Sequence, residues 1–125
     1  MAVALYVNCL SVDCRDPRSV AQFWSQALDW PILEDDDDDE VMVAPGREPV
    51  PGKYPLLFVR VPDEKTAKNR WHLDLSPEDQ SAEVARLEGL GARRVDIGQG
   101  DQTWVVMSDP EGNEFCVLRS LPPGT

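Results

Sequence analysis

Between residues 16 and 28, the apolar positions recur at helical spacing. The apolar face at i, i+3, i+4, i+7 and i+8 consists of Val20, Phe23, Trp24, Ala27 and Leu28. Asp16 is a good N-cap, and Pro17 suits the first helical position because that position needs no N–H donor. The pattern predicts an amphipathic helix with one face on a core.

The same order of signals returns about sixty residues later. Ser76 and Pro77 precede the second helical stretch, "SPEDQSAEVARLEGLG", which predicts Ser76 as its N-cap and Gly91 as its C-terminal glycine. Each helix follows an apolar segment, "ALYVNCLSVDC" with Asp13 or "RWHLDL" with Asp74. The two aspartates are 61 residues apart (74 − 13), which indicates an internal duplication.

Three strand-like segments follow each predicted helix. They are "WPILE", "EVMVA" and "YPLLFVRV" in the first half, and "RRVDI", "QTWVVMS" and "NEFCVLR" in the second. "DPEGN" at 109–113 has the composition of a tight turn between antiparallel strands. The sequence therefore predicts an α+β fold of tandem βαβββ modules, at about 3–62 and 69–120, packed as a single domain over 1–125.

Charge limits the partners that this chain can bind. The formal net charge of −11 argues against nucleic acid and anionic membranes, which both require a positive surface. Five aspartates stand side by side within Glu34–Glu40, and such a run predicts a solvated loop between two strands. A weak divalent-cation site, or an acidic rim that attracts a cationic ligand, is the alternative interpretation of this run.

Cysteine usage and hydropathy indicate the compartment. Cys9, Cys14 and Cys116 have no metal-binding spacing, and their odd number argues against a disulfide framework. We interpret them as buried structural thiols in a reducing cytoplasm. No apolar run approaches the roughly 20 residues that span a bilayer, so we expect no membrane segment.

The repeat, together with "DCRDPRSVAQFWSQALDW", "WHLDL" and "SDPEGNEFCVL", resembles the vicinal oxygen chelate superfamily and its glyoxalase-like domains. The resemblance covers roughly residues 3 to 120. It implies two modules that curl around a central cleft for a small oxygenated or aromatic molecule. It also implies a homodimer, since the resistance proteins of the superfamily commonly hold their ligand between two chains.

In this superfamily, metal ligands come from the first and last strands of a module. The matching residues in the second half are His72 and Glu114, and strand alternation directs both toward the cleft. They are the predicted catalytic residues and the predicted ligands of Zn, Fe, Mn or Ni. In the first half, Ser11 and Leu56 or Leu57 occupy the equivalent positions, so the ligand set is incomplete.

Three kinds of function are compatible with the sequence. The first is a divalent-metal-dependent lyase, isomerase or dioxygenase, and the second is a metal-free binding or sequestering protein like the bleomycin-resistance proteins. A metal-free His72–Glu114 pair could also transfer protons, since histidine titrates near neutral pH. The remaining predicted pocket residues are Ser11, Asp74, Trp104 and Cys116. Asp13 and Asp74 could each add a carboxylate ligand, but we expect both to serve the strand-to-helix turns. Trp71 is expected beneath the second helix.

Overall fold

The structure, a computed structural model, describes residues 5–33, 37–98 and 100–120. The chain forms two compact units, Met1–Glu64 and Lys65–Thr125. Among these described residues, each unit has one helix and four strands in the order strand, helix, three strands. This order confirms the predicted α+β class and the tandem βαβββ modules. The packing of both modules into a single domain stays a prediction.

The first unit contains the strands β1 (Leu10–Cys14), β2 (Ile32–Leu33), β3 (Glu40–Val43) and β4 (Leu56–Arg60), and the helix α1 (Pro17–Leu28). Its sheet has the strand order β1-β4-β3-β2. β1 pairs with β4 in parallel, and the other pairs are antiparallel. The parallel register places Ser11 beside Leu57 and Asp13 beside Val59.

The second unit repeats this topology. It contains β5 (Asp74–Leu75), α2 (Gln80–Leu90), β6 (Arg93–Arg94), β7 (Val105–Ser108) and β8 (Glu114–Val117). The strand order is β5-β8-β7-β6, and β5 pairs with β8 in parallel with Asp74 beside Cys116. The predicted 109–113 turn joins β7 to β8, where the buried Asp109 carboxylate accepts hydrogen bonds from the N–H groups of Glu111 and Asn113.

Each unit packs its helix on its own sheet. α1 contacts β3 and β4, and its buried side chains include Val20, Phe23 and Trp24. α2 contacts β6 and β8 and buries Val84 and Leu87. The contacts of α2 support β8, the strand that carries Glu114 and Cys116.

The two helices begin differently from each other. The Asp16 carboxylate accepts a hydrogen bond from the Ser19 N–H at 3.2 Å, which confirms the predicted cap of α1. The prediction of Ser76 as the second N-cap is wrong, because α2 begins at Gln80 and its N-cap is Asp79. The Asp79 carboxylate accepts a hydrogen bond from the Ala82 N–H at 3.1 Å, and this bond caps the first turn of α2. Gly91 ends α2 at φ 118°, as predicted.

The first strand of the second unit is shorter than the sequence pattern indicates. Ladder pairing with β8 starts where the Cys116 N–H donates to the Leu73 carbonyl, and β5 covers only Asp74–Leu75. His72 therefore precedes the strand. The expectation that Trp71 lies under α2 is wrong, since Trp71 is 86% exposed. Strand alternation does not extend to residues outside the ladder.

The acidic run is partly neutralised within the first unit. Glu34 to Asp36 lie outside the described residues, Asp37–Asp39 precede β3, and Glu40 begins that strand. Asp38 pairs with Arg18 at 2.6 Å, and Asp39 pairs with Arg60 at 2.8 Å. Within 5–33, 37–98 and 100–120, no helix has the length and hydropathy to cross a bilayer.

Candidate functional site

The candidate site of the second unit forms where β5 and β8 run side by side. Their register places Asp74 beside Cys116, and the His72 Nδ1 atom lies 3.0 Å from Asp74 Oδ1. Ligand atoms of His72, Asp74 and Cys116 all lie within 4.8 Å of one another. No other group of three or more histidine, cysteine or acidic side chains comes this close in the described part of the chain.

The three side chains differ in exposure. Cys116 is 6% exposed, whereas the side chains of His72 and Asp74 are 39% and 51% exposed. A buried sulfur therefore lies next to a nitrogen and an oxygen that solvent can reach. This mixture of donors suits zinc and other borderline divalent ions better than magnesium or calcium.

Burial raises the pKa of the Cys116 thiol above its usual value of 9.0. The negative charge of Asp74 and its hydrogen bond to Cys116 raise that pKa further, while the positive charge of Lys68 acts in the opposite direction. The thiol is therefore protonated at neutral pH when no cation is bound. Coordination of a metal would convert it to the thiolate and release a proton.

Glu114 belongs to a separate set of contacts. Lys65 Nζ donates to its carboxylate at 3.0 Å, and the Asn69 N–H donates to Oε2 at 3.1 Å. The Asn69 side chain also donates to the Glu114 carbonyl at 3.2 Å. These contacts tie the 65–69 segment to the start of β8.

The Lys65–Glu114 pair is largely buried. The side chains are 24% and 11% exposed, respectively. Burial raises the pKa of Glu114, but the hydrogen bonds from Lys65, Asn69 and its own backbone, with the Lys65 charge, lower it more. The net pKa lies below the ordinary value of 4.5. Glu114 is thus a stabilised carboxylate with a cation already beside it.

The predicted site residues separate into three environments. His72, Asp74 and Cys116 come together, although Glu114 is not a member of that group. Ser11 is exposed on β1, beside Leu57, and Trp104 is 37% exposed immediately before β7. The assignment of His72 and Glu114 as a shared metal pair stays a prediction.

Sequence reasoning missed Lys65 and Asn69. Both stand in the segment between the predicted modules, where neither periodicity nor a motif marks them. Their contacts span 49 and 45 positions along the chain, a separation that local patterns do not report. One signal that could have indicated a partner for Glu114 was the position of Lys65, a cation close to the start of the second module.

A divalent ion, which the resemblance to the superfamily implies, fits one donor set better than the other. His72, Asp74 and Cys116 offer a nitrogen, an oxygen and a sulfur within 4.8 Å. Glu114 would join such an ion only after Lys65 withdrew from its carboxylate, because an ammonium and a metal ion compete for the same oxygens.

Known proteins with a similar sequence pattern or structure share this fold. A sequence model described as "Glyoxalase-like domain" matches residues 9–118. A glyoxalase/bleomycin resistance protein/dioxygenase family enzyme from Burkholderia phytofirmans has a similar structure, with TM-score 0.69 and 16% identity, covering 91% of this chain and 98% of that one. No curated protein matched the sequence.

Two further solved structures represent a binding protein and a metal complex. An antibiotic binding protein from a Streptomyces species has TM-score 0.64 and 21% identity, covering 96% of this chain and 100% of that one. A mutant of the fosfomycin resistance protein FosX from Listeria monocytogenes, solved with Mn(II) and a dihydroxypropylphosphonic acid, has TM-score 0.68 and 10% identity. That match covers 95% of this chain and 93% of FosX. At these identities, the likeness establishes the fold alone.

Proposed function

The chain belongs to the glyoxalase-like domain family, and from this premise we propose that it is a divalent-metal-dependent enzyme acting on a small oxygenated molecule. Membership confirms the predicted resemblance to the vicinal oxygen chelate superfamily. The reaction class that we propose is a lyase, isomerase or dioxygenase. The single observation that supports the metal dependence is the approach of His72, Asp74 and Cys116 to within 4.8 Å.

The chemistry of the centre depends on the divalent ion that its side chains can bind. A divalent ion, when bound, supplies a Lewis acid that polarises oxygens of the substrate. Asp74 Oδ1 lies 3.0 Å from Nδ1 of His72, so the contact orients the imidazole ring and holds the two candidate ligands side by side. The exposed fractions of His72 and Asp74 leave room for a ligand to approach.

Metal content tests this function directly. Wild-type protein would be incubated with Zn²⁺, Fe²⁺, Mn²⁺ or Ni²⁺, dialysed exhaustively and analysed by mass spectrometry. We expect about one ion per chain in the wild type and none in His72→Ala. Ser11→Ala is the matched control, because Ser11 is the equivalent position in the first unit, and it should retain the ion.

Turnover is the second requirement of the proposal. Metal-loaded wild type should convert at least one member of a panel of α-oxoaldehydes and catechols, whereas His72→Ala should not. Absence of any retained ion in the wild type would contradict metal dependence. An ion retained equally by wild type and His72→Ala would remove His72 from the centre.

A second candidate function is the binding or sequestration of a small molecule without turnover. It is favoured by the contacts of Glu114, because Lys65 and Asn69 already occupy the carboxylate at the position that the superfamily uses for a metal. The acidic balance of −11 would suit a cationic ligand. A compound that raises the Tm of metal-free protein and is recovered unchanged would support this function over catalysis.

The assembly of the protein remains a proposal from the resemblance. We expect a homodimer, and analytical ultracentrifugation would measure its mass at concentrations close to those in the assays. A monomer under these conditions would contradict the expectation. The predicted cytoplasmic location would be tested by fractionation of the source cells.

A further inference from the structure

We propose that the ion of this site is thiophilic, with Zn²⁺ as the representative ion, and that His72, Asp74 and Cys116 hold it in place of the His72–Glu114 pair. The inference rests on the proposed function, because it names the ligands and the ion class of the same centre. It differs from the sequence prediction because the Cys116 thiolate and the Asp74 carboxylate take the place of the Glu114 carboxylate.

The ladder of the second unit supplies the geometry. Parallel pairing fixes the backbones of Asp74 and Cys116 side by side, so that the carboxylate and the sulfur start from neighbouring positions. Ligand atoms around tetrahedral zinc lie roughly 3.5 Å apart, given bond lengths of about 2.0–2.3 Å. The separations here do not exceed 4.8 Å. Small rotations of the half-exposed His72 and Asp74 side chains would bring the ligand atoms to the spacing that zinc requires.

The donor chemistry selects the ion class. A thiolate and an imidazole favour zinc and similar transition metals, whereas magnesium, calcium and manganese favour all-oxygen sites. Cys116 is the only sulfur in the group, so it carries most of the discrimination. Three protein ligands also leave a fourth tetrahedral position for water or substrate, as in catalytic zinc sites.

Glu114 is a poor competitor for the same ion. Its carboxylate is 11% exposed, with Lys65 Nζ at 3.0 Å and the Asn69 N–H at 3.1 Å. Binding of an ion there would place two cations around one carboxylate or force the lysine away. Neither cost applies to Asp74, whose side chain is 51% exposed.

The first unit serves as an internal control for this inference. Its ladder places Asp13 beside Val59 in the register that places Asp74 beside Cys116. Ser11 stands where His72 stands, two residues before the aspartate. The first unit thus repeats the backbone and the aspartate but lacks the nitrogen and the sulfur. The nitrogen and the sulfur are therefore the features by which the second unit differs from the first at these positions.

The test compares four variants in titrations of full-length protein with Zn²⁺ and with Mn²⁺, followed by isothermal calorimetry. We expect the wild type to bind one Zn²⁺ more tightly than Mn²⁺. His72→Ala and Cys116→Ser should weaken Zn²⁺ binding about tenfold or more, because each removes a direct ligand. Glu114→Gln and the buried-thiol control Cys14→Ser should bind Zn²⁺ like the wild type.

The opposite pattern would overturn the ligand set and the ion class, while the wild type would still bind an ion, as the proposed metal dependence requires. If Glu114→Gln loses the ion and Cys116→Ser retains it, the ligands are the His72–Glu114 pair. If Mn²⁺ binds more tightly than Zn²⁺, the ion class is wrong. If the wild type binds no divalent ion, the proposed function itself fails, which is a distinct outcome.

A second measurement keeps the inference testable if Cys116→Ser does not fold. Wild-type protein would be treated with iodoacetamide in the presence and absence of Zn²⁺, and the modified cysteines would be mapped by peptide mass spectrometry. Zn²⁺ should slow alkylation of Cys116 and leave the rate at Cys9 unchanged. In parallel, Co²⁺-substituted wild type should show a thiolate-to-cobalt charge-transfer band. Unchanged alkylation of Cys116, or the absence of that band, would contradict coordination by the thiolate.

Discussion

The first and second units have the same strand order but different side chains at equivalent ladder positions. Ser11 and Leu57 are paired neighbours on β1 and β4. The matching positions in the second unit are His72, which precedes β5, and Glu114, which begins β8. Val59 is replaced in the same way by Cys116. The difference teaches that the repeated backbone specifies where a polar centre can form, and that a few substitutions decide whether it does.

The cores of the two units are alike. Phe58 on β4 and Phe115 on β8 stand at equivalent positions, directly before Val59 and Cys116, and they are 0% and 1% exposed. The residues beside them differ in chemistry, while the phenylalanines do not. Packing and chemistry are therefore carried by different faces of the same strand.

The largest expected effect tests this shared core. Phe58→Ala and Phe115→Ala should each lower the free energy of unfolding by about 3–5 kcal/mol, because each leaves a cavity in a close-packed interior. Urea denaturation followed by circular dichroism would measure both losses. A loss below about 1 kcal/mol in one variant alone would break the equivalence of the two cores.

A smaller effect is expected for the Lys65–Glu114 ion pair of the second unit. Glu114→Gln should lower the free energy of unfolding at pH 7 by about 1–3 kcal/mol, because Lys65 keeps its charge in a largely buried setting. Asp38→Asn removes the exposed Arg18–Asp38 pair of the first unit and should cost less than about 1 kcal/mol. Equal losses would contradict the buried character of the Lys65–Glu114 contact.

The pH dependence of this ion pair has a definite sign. The pKa of Glu114 is lower in the folded protein than its ordinary value of 4.5, so the unfolded chain takes up this proton first. The contribution to stability is present above pH 4.5 and is lost as the pH falls through the folded pKa. Denaturation of metal-free protein at several pH values should show the gap between wild type and Glu114→Gln shrinking over that interval. A gap that widens on acidification would contradict the lowered pKa.

The smallest expected effects concern the helix starts. Asp16→Ala and Asp79→Ala should each cost about 1 kcal/mol, because each removes the acceptor for a first-turn N–H. Ser76→Ala should change the free energy of unfolding by less than about 0.5 kcal/mol, since Ser76 lies before the cap. A larger loss in Ser76→Ala than in Asp79→Ala would restore the start predicted from the sequence.

Much of the fold could be predicted because its signals are local. The Asp16–Pro17 start, the α1 face and the Gly91 end each depend on residues within one or two turns of helix. The second helix start was misplaced because Ser76 and Asp79 are both good N-caps three residues apart. Propensity alone does not choose between them.

The candidate site was less predictable than the fold. Alternation along "WHLDL" assumed a strand through Trp71 and His72, but ladder pairing begins only at Leu73. Once those residues leave the ladder, the side-chain directions assigned from alternation no longer hold. The predicted burial of Trp71 failed for this reason.

The sequence by itself determined the duplication, the order of helices and strands, and the set of polar residues available to a site. Only the tertiary structure decided that Lys65 and Asn69 reach Glu114, and that Cys116 lies with His72 and Asp74. The physical reason is separation along the chain. Local hydrogen bonds and periodic burial are encoded by neighbouring residues, whereas a contact across 45 positions depends on strand register and on how distant segments pack together.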